Sequence, residues 1–222
     1  MDPDLIRGFV GILEAKDIST AAHTWRVVLY TRALAERFTS DRDFLNRLTF
    51  AAALHDVGKI DIPEAILLKP GPLTPEERAV MQTHAALGHE RMSRMSEADP
   101  LILDLVRHHH ERIDGKGYPD NLTGDKIPIA ARYFAVVDSF DAMTSFRPYR
   151  HDVGDEAARR AIVELQAGIG TRYAAEAVEA FADLYHTGNL DWILHYYNDQ
   201  CELPDYSALS DAESVRKRIK DA

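Results

Sequence analysis

Apolar residues recur at spacings of three and four along most of the chain, which is the pattern of amphipathic helices. The first such stretch runs from Thr20 to Phe38, and the second runs from Phe44 to Leu54 behind Asp41, a residue suited to cap a helix. No stretch combines alternating apolar positions with the β-branched enrichment of a strand. The pattern therefore predicts an all-α protein, a helical bundle with one core.

Capping and turn-forming residues set the limits of the later helices. Thr74, Pro75 and Glu77 supply a cap, a first-turn proline and a capping-box acid, so we expect a helix from Pro75 toward Arg94. The other predicted elements are a helix from about Pro100 that ends with His109 and His110, a loop rich in glycine and proline over 113–127, a helix from Pro128, two or three helices over 154–197, and a short helix near Ser210 and Glu213.

Composition and charge narrow the class of protein. The chain has 222 residues with 26 basic and 36 acidic side chains, a formal net charge of −10, which argues against a nucleic acid polymer or an anionic membrane as partner. Its apolar stretches are interrupted too often for a membrane-spanning helix. The single Cys201 cannot form an intrachain disulfide, and the first thirty residues lack a secretory pattern, so we expect a cytoplasmic protein.

Several side chains that can bind metals fall on inward faces of different predicted helices. They are His55, Asp56, His84, His109, His110 and Asp138. The alternative is that these are ordinary core histidines satisfied by hydrogen bonds. So many imidazoles and carboxylates exceed what one ion needs and suit a centre of two divalent ions in the core of the bundle.

Four motifs give the chain a resemblance to a known family. They are LHDVGKIDIP over Leu54–Pro63, KPGPLTPEE over Lys69–Glu77, HHERIDGKGYP over His109–Pro119 and DSFDAMTSFRPYR over Asp138–Arg150. In this order they resemble the HD-GYP family of bacterial phosphodiesterases, over roughly residues 17–185. The resemblance implies an all-helical HD-domain fold, a metal centre of the iron or manganese type, and hydrolysis of the second messenger cyclic di-GMP in signal transduction.

The resemblance also implies roles for individual residues. The metal ligands it implies are His23, His55, Asp56, His84, His109, His110 and Asp138. Asp56 and Lys59 would be catalytic, with Lys59 contacting the scissile phosphate. Tyr118 would line the pocket wall, and Arg147 and Arg150 would hold phosphate or guanine of the substrate.

One departure from the family bears on the number of ions. Members with three metals carry a glutamate four residues before the first histidine ligand, where this chain has Ser19. A neutral hydroxyl is a poor replacement for a carboxylate on a hard cation, so we expect two ions, iron or manganese. A hydroxide bridging these ions would attack phosphorus in line. We expect the catalytic domain to span residues 1–185 and a helical extension and tail to span 186–222.

Three functions fit these observations to different degrees. The first is hydrolysis of cyclic di-GMP to linear pGpG, GMP or both. The second is a signalling module that binds a cyclic dinucleotide or a partner protein with little turnover, and a variant of the first is cleavage of cyclic GMP-AMP. A hydrolase of linear nucleotides is disfavoured by the GYP loop and the RPYR motif. A homodimer or a signalling partner stays open.

Overall fold

Helices form nearly all the regular structure of the protein, seen here as a computed structural model that describes residues 8, 11, 19–95, 98–145 and 155–196. The α-helices are α1 (Ser19–Ala35), α2 (Arg42–Leu54), α3 (Glu64–Leu67), α4 (Pro75–Gln82), α5 (His84–Ser93), α6 (Pro100–His108), α7 (Ile129–Thr144), α8 (Asp155–Ala167), α9 (Ala175–His186) and α10 (Asp191–Tyr196). Short 3-10 helices span Val57–Asp61 and Gly124–Lys126. These ranges contain two isolated β-bridges and no strand, so the all-α prediction is confirmed.

The predicted helix caps are confirmed. The Asp41 carboxylate accepts hydrogen bonds from the backbone N–H groups of Asp43 and Phe44 at the start of α2. Thr74 and Glu77 form the reciprocal capping box at the start of α4. Each cap satisfies backbone donors that the first turn of a helix leaves without a partner.

The prediction of one helix from Pro75 toward Arg94 is wrong, because the segment divides at Thr83 into α4 and α5. The backbone N–H of Thr83 bonds to the carbonyls of Val80 and Met81, which tightens the last turn of α4, and the Thr83 hydroxyl donates to the Val80 carbonyl at 2.7 Å. The break makes His84 the first residue of α5 instead of an interior one. It therefore sets where the His84 side chain lies.

In the core, α1 packs against α2 and α7, and α9 packs against both α1 and α7. Tyr30, Phe140 and Phe181 come from α1, α7 and α9 and are fully buried. Their rings meet edge to face, with centroids 5.4 Å apart for Tyr30 and Phe140 and 4.9 Å apart for Phe140 and Phe181. Such pairs contribute about 0.5–1.5 kcal/mol each beyond the area they bury, so this cluster fixes α1 against α7.

The end of the described chain belongs to the same core. Leu190 and Ile193, which follow α9, are fully buried in it. The division at residue 185 into a catalytic domain and an extension stays a prediction, and the short helix expected near Ser210 lies outside the described residues. Within the ranges described, no helix combines the length and apolar character needed to cross a membrane.

Candidate metal centre

Two glycines allow the HD dipeptide to approach α5. A Cβ on Gly58 would lie 1.9 Å from the His84 carbonyl oxygen and 2.5 Å from the Gly88 backbone nitrogen. A Cβ on Gly88 would lie 2.9 Å from a Val106 methyl group. The 3-10 helix after Asp56 therefore packs directly on the α5 backbone, and the Asp56 carboxylate comes within 3.3 Å of His84 Nε2.

The side chains brought together form two groups that share Asp56. One group contains His23, His55 and Asp56, and the other contains Asp56, His84, His109 and His110; within each group the candidate ligand atoms lie within 4.8 Å of one another. Asp138 is close to the first group, with Oδ1 3.6 Å from His23 Nε2. All seven residues named by the sequence thus lie in one cluster, and their role as ligands stays a prediction.

The hydrogen bonds of four histidines fix which ring nitrogen faces the cluster. His55, His84 and His109 each direct Nδ1 at the backbone carbonyl three residues earlier, at 2.8, 2.8 and 2.9 Å. His23 directs Nδ1 at the Asp141 carboxylate, at 2.8 Å. Carbonyl and carboxylate oxygens only accept, so Nδ1 must carry the proton, and the lone pair of each neutral ring lies on Nε2.

The facing Nε2 atoms supply an independent test of whether cations suit this site. His23 Nε2 lies 3.3 Å from His55 Nε2, and His84 Nε2 lies 3.2 Å from His109 Nε2. In the neutral rings of His84 and His109 both Nε2 atoms are acceptors, so this pair sets two lone pairs against each other. A cation close to this pair removes the repulsion, and imidazole with carboxylate is a donor set that divalent transition metals accept. The residues therefore fit a divalent metal centre.

Burial and charge set the protonation of the cluster. Burial lowers the pKa of His84 and, together with neighbouring His110, lowers that of His109 well below its usual range. Burial also lowers the pKa of His110 to about 4. These three rings are therefore neutral at pH 7, as metal binding requires.

Asp56 and His55 influence each other in the opposite direction. Burial alone would raise the pKa of Asp56, but His55 and Lys59 outweigh burial and hold it well below its usual range. Burial would lower the pKa of His55, but the Asp56 carboxylate, 3.1 Å away, outweighs burial and raises it. Lys59 Nζ is 2.5 Å from Asp56 Oδ2, so a half-buried ammonium lies directly beside the carboxylate that both groups share.

The GYP loop closes one side of the cluster. The Tyr118 ring lies over His110, with centroids 4.8 Å apart and planes 31° apart, and 6.3 Å from the His84 ring. Buried Glu111 holds the loop by accepting from the backbone N–H groups of Asp120 at 2.7 Å and Leu122 at 3.0 Å. A Cβ on Gly117 would lie 2.5 Å from Glu111 Cα, so the chain folds tightly back at that point.

The structure describes nine of the eleven predicted site residues and brings these nine together. Lys59, Tyr118 and the seven candidate ligands lie together, whereas Arg147 and Arg150 lie outside the described residues. His108, which precedes His109 and His110, is partly buried and bonded to Asp120 at 3.0 Å, outside both ligand groups.

Three residues with a part in the site were not among the predicted site residues. Asp141 accepts a hydrogen bond from His23 Nδ1, on the side of the ring away from the cluster, and a second one from Arg26. Glu111 holds the loop that carries Tyr118. The sequence carried a signal for Asp141, which shares the apolar face of α7 with Asp138 at a spacing of three and therefore needs a partner. It carried a weaker signal for Arg26, a cation one turn after His23.

Comparison with known proteins identifies the family to which the chain belongs. The sequence model of the HD domain family matches residues 11–176. A cyclic di-GMP phosphodiesterase of Thermotoga maritima is 44% identical over 174 residues, which cover 77% of this chain and 46% of that protein. The chain belongs to the HD domain family, and its resemblance to the HD-GYP phosphodiesterases is confirmed.

Two further matches show the range of relatives. The 3'3'-cGAMP-specific phosphodiesterase 2 of Vibrio cholerae is 37% identical over 177 residues, covering 79% of this chain and 33% of that protein. Bd1817, an HD-GYP-type protein of Bdellovibrio bacteriovorus, superposes with a TM-score of 0.61 at 21% identity, covering 77% of this chain and 53% of that chain, and so supports the fold. The chain spans less than half the length of the two curated relatives it matches here.

Proposed function

We propose that this chain hydrolyses cyclic di-GMP to linear pGpG, GMP or both, with two divalent ions, iron or manganese, held by the seven candidate ligands. The observation that carries the proposal is the pair of ligand groups that share Asp56, with Lys59 and Tyr118 beside them. Ordinary core histidines would be satisfied by the hydrogen bonds of their neighbours. Here His84 Nε2 and His109 Nε2, both acceptors in neutral rings, face each other at 3.2 Å.

The candidate ligands would hold the two ions in two groups. His23, His55 and Asp138 would hold one ion, His84, His109 and His110 would hold the other, and Asp56 would contribute to both. The ions, when bound, would activate water at neutral pH and neutralise charge on the phosphate. Phosphoryl transfer depends chiefly on positioning and electrostatics, which is what this set of fixed side chains provides.

Lys59 and Tyr118 orient the phosphate. The Lys59 ammonium is partly exposed beside Asp56, so it donates to a non-bridging oxygen of the scissile phosphate. Burial raises the pKa of Tyr118, so its phenol stays protonated at neutral pH and acts as a hydrogen-bond donor on the wall of the pocket.

Further cations hold the rest of the substrate. Arg147 and Arg150 of the RPYR motif bind phosphate or guanine through their planar guanidinium groups. Exposed Arg78 on α4 adds another cation on this side, since its charge acts on the Tyr118 phenol. These groups offset the net charge of −10 where an anionic ring must approach.

A mixed ring, cyclic GMP-AMP, is the second candidate substrate. Its support is the 37% identity to a relative named as a 3'3'-cGAMP-specific phosphodiesterase. It ranks second because the identity to a relative named as a cyclic di-GMP phosphodiesterase is higher, at 44%. A binding module with little turnover is the alternative to both.

We place the activity in the cytoplasm. A homodimer and a complex with a signalling partner are both open for this chain. Light scattering of the purified chain distinguishes monomer from dimer.

The experiment compares substrates on one metal-loaded preparation. Protein purified without oxygen is incubated with cyclic di-GMP, with 3'3'-cyclic GMP-AMP and with linear pGpG, and products are separated by chromatography. We expect cyclic di-GMP to be consumed fastest, with pGpG, GMP or both as products. Faster loss of 3'3'-cyclic GMP-AMP would show that the mixed ring is the preferred substrate. Tight binding of cyclic di-GMP without any product would show that the chain is a binding module and not an enzyme.

A further inference from the structure

Asp141 is the centre of a buried polar network behind the candidate metal centre. It lies on α7 one turn after Asp138 and is fully buried. Its carboxylate accepts from His23 Nδ1 at 2.8 Å, from Arg26 Nε at 2.6 Å and from the Ser145 hydroxyl at 2.8 Å. A buried carboxylate with three donors is fixed in position, so it can fix the ring that it contacts.

The position of His23 in its helix explains why it needs this partner. His55, His84 and His109 lie at or just beyond helix C-termini, where the last carbonyls can accept a further hydrogen bond from a side chain; those carbonyls belong to Ala52, Met81 and Val106. His23 lies inside α1, where backbone carbonyls are engaged by the helix itself. Its Nδ1 proton must therefore go to a side chain from another helix.

Charge distinguishes this partner from a backbone carbonyl. An ionised acceptor makes a stronger hydrogen bond than a peptide carbonyl does, and it increases the basicity of the opposite ring nitrogen. Arg26 Nη2 also bonds Ser145 at 2.7 Å, so the guanidinium both neutralises the carboxylate and holds the end of α7. His23 Nδ1 thus donates to a charged carboxylate, whereas His84 Nδ1 and His109 Nδ1 donate to uncharged backbone carbonyls.

We propose that Asp141 is a positioning residue for one ion only, the ion that His23, His55 and Asp56 would hold, through its hydrogen bond to His23 Nδ1. This proposal rests on the proposed function because it assumes two bound ions. It concerns the affinity for metal and not turnover. Removing the Asp141 charge should weaken one ion selectively, whereas general damage to the cluster would weaken both.

The test compares Asp141→Asn with Thr144→Ala in the full chain. Thr144 is buried on the same helix, and its hydroxyl bonds the backbone carbonyls of Phe140 at 2.9 Å and Asp141 at 3.4 Å, so its loss disturbs α7 next to Asp141 without altering the carboxylate. Metal-free protein is titrated with Mn²⁺ by calorimetry. We expect Asp141→Asn to weaken one of two binding events by about tenfold to a hundredfold and to leave the other unchanged, and Thr144→Ala to leave both within about threefold. Equal weakening of both events by Asp141→Asn, or of neither, overturns the proposal.

A measurement on the unaltered protein covers the case in which Asp141→Asn does not fold. Nitrogen-15 spectra of the histidine rings, taken on metal-free protein at about pH 8 and assigned with His23→Gln, report which nitrogen carries the proton. We expect the Nδ1–H form for His23, although free imidazole in water prefers the other form. The Nε2–H form would overturn the proposal. Neither readout depends on whether a cyclic dinucleotide is cleaved, so each can fail independently of the proposed function.

Discussion

Gly58 packs against His84 so closely that a Cβ added to Gly58 would lie 1.9 Å from the His84 carbonyl oxygen. The obstacle is backbone at the first residue of α5, which cannot move away as a flexible side chain could. The same contact brings Asp56 within 3.3 Å of His84 Nε2. The glycine of the HD motif therefore joins the two halves of the candidate metal centre.

Gly58→Ala should lower both stability and metal content. The added methyl forces the 3-10 helix away from α5, at a cost of about 3 kcal/mol in the free energy of unfolding, and separates Asp56 from His84. Urea unfolding and metal analysis measure the two effects. Gly8→Ala is the control, since nothing lies within 4 Å of a Cβ there. Wild-type stability and metal content in Gly58→Ala would show that this contact does not determine the site.

Asp56→Asn should remove metal and turnover together. Asp56 is the one carboxylate common to both ligand groups among the described residues, and an amide cannot supply its charge to two cations. We expect at least about a hundredfold weaker metal binding, because even outer partners of ligands contribute tenfold to a hundredfold. Asp61→Asn is the matched control, since Asp61 lies in the 3-10 helix that follows Asp56 but pairs with Arg91 on the surface at 2.6 Å. Retained metal with normal turnover in Asp56→Asn would contradict the assignment.

His110 should make the metal-free protein sensitive to acid. Its pKa is about 4 in the folded chain against 6.5 for an unperturbed imidazole, so between these values the unfolded state binds a proton that the folded state does not. The free energy of unfolding should therefore fall as pH decreases from 6.5 toward 4, by up to about 1.4 kcal/mol per pH unit for this proton. Denaturant unfolding across this range should give a smaller slope for His110→Gln than for wild type. Equal slopes would mean that His110 does not titrate in this way.

The arginines of the RPYR motif should act on substrate binding. A hydrogen bond to a charged group contributes about 1.5–3 kcal/mol, so Arg147→Ala and Arg150→Ala should each raise KM for cyclic di-GMP about tenfold to a hundredfold. The change in kcat should be smaller and the metal content unchanged. Arg94→Ala serves as the control, because Arg94 is exposed and pairs with Glu90 on α5. If both variants keep the wild-type KM, these arginines do not hold the substrate.

The sequence predicted local features well because they depend on neighbouring residues. The caps at Asp41 and Thr74 and the inward faces that carry His55 and His109 follow from helical spacing and side-chain chemistry. The break at Thr83 was missed because capping and period on both sides fit one continuous helix. It arises from hydrogen bonds in the last turn of α4, which the apolar pattern does not record.

The site was predictable as a list of residues but not as an arrangement. Spacing and resemblance named the seven candidate ligands, yet the sharing of Asp56 between two groups depends on the contact of Gly58 with α5. The bond from His23 to Asp141 joins residues 118 positions apart. Such distant pairs depend on how α1 packs on α7, which no local pattern specifies.

The central claim is that divalent ions in this cluster let the chain hydrolyse cyclic di-GMP. The most direct measurement removes the metal with a chelator, returns Mn²⁺ or Fe²⁺ without oxygen, and follows cyclic di-GMP and its products by chromatography at each stage. We expect turnover in the loaded protein, loss of turnover when the metal is removed, and its return on reloading, with pGpG, GMP or both as products. Unchanged turnover in the metal-free protein, or intact cyclic di-GMP in protein that carries two ions, would contradict it.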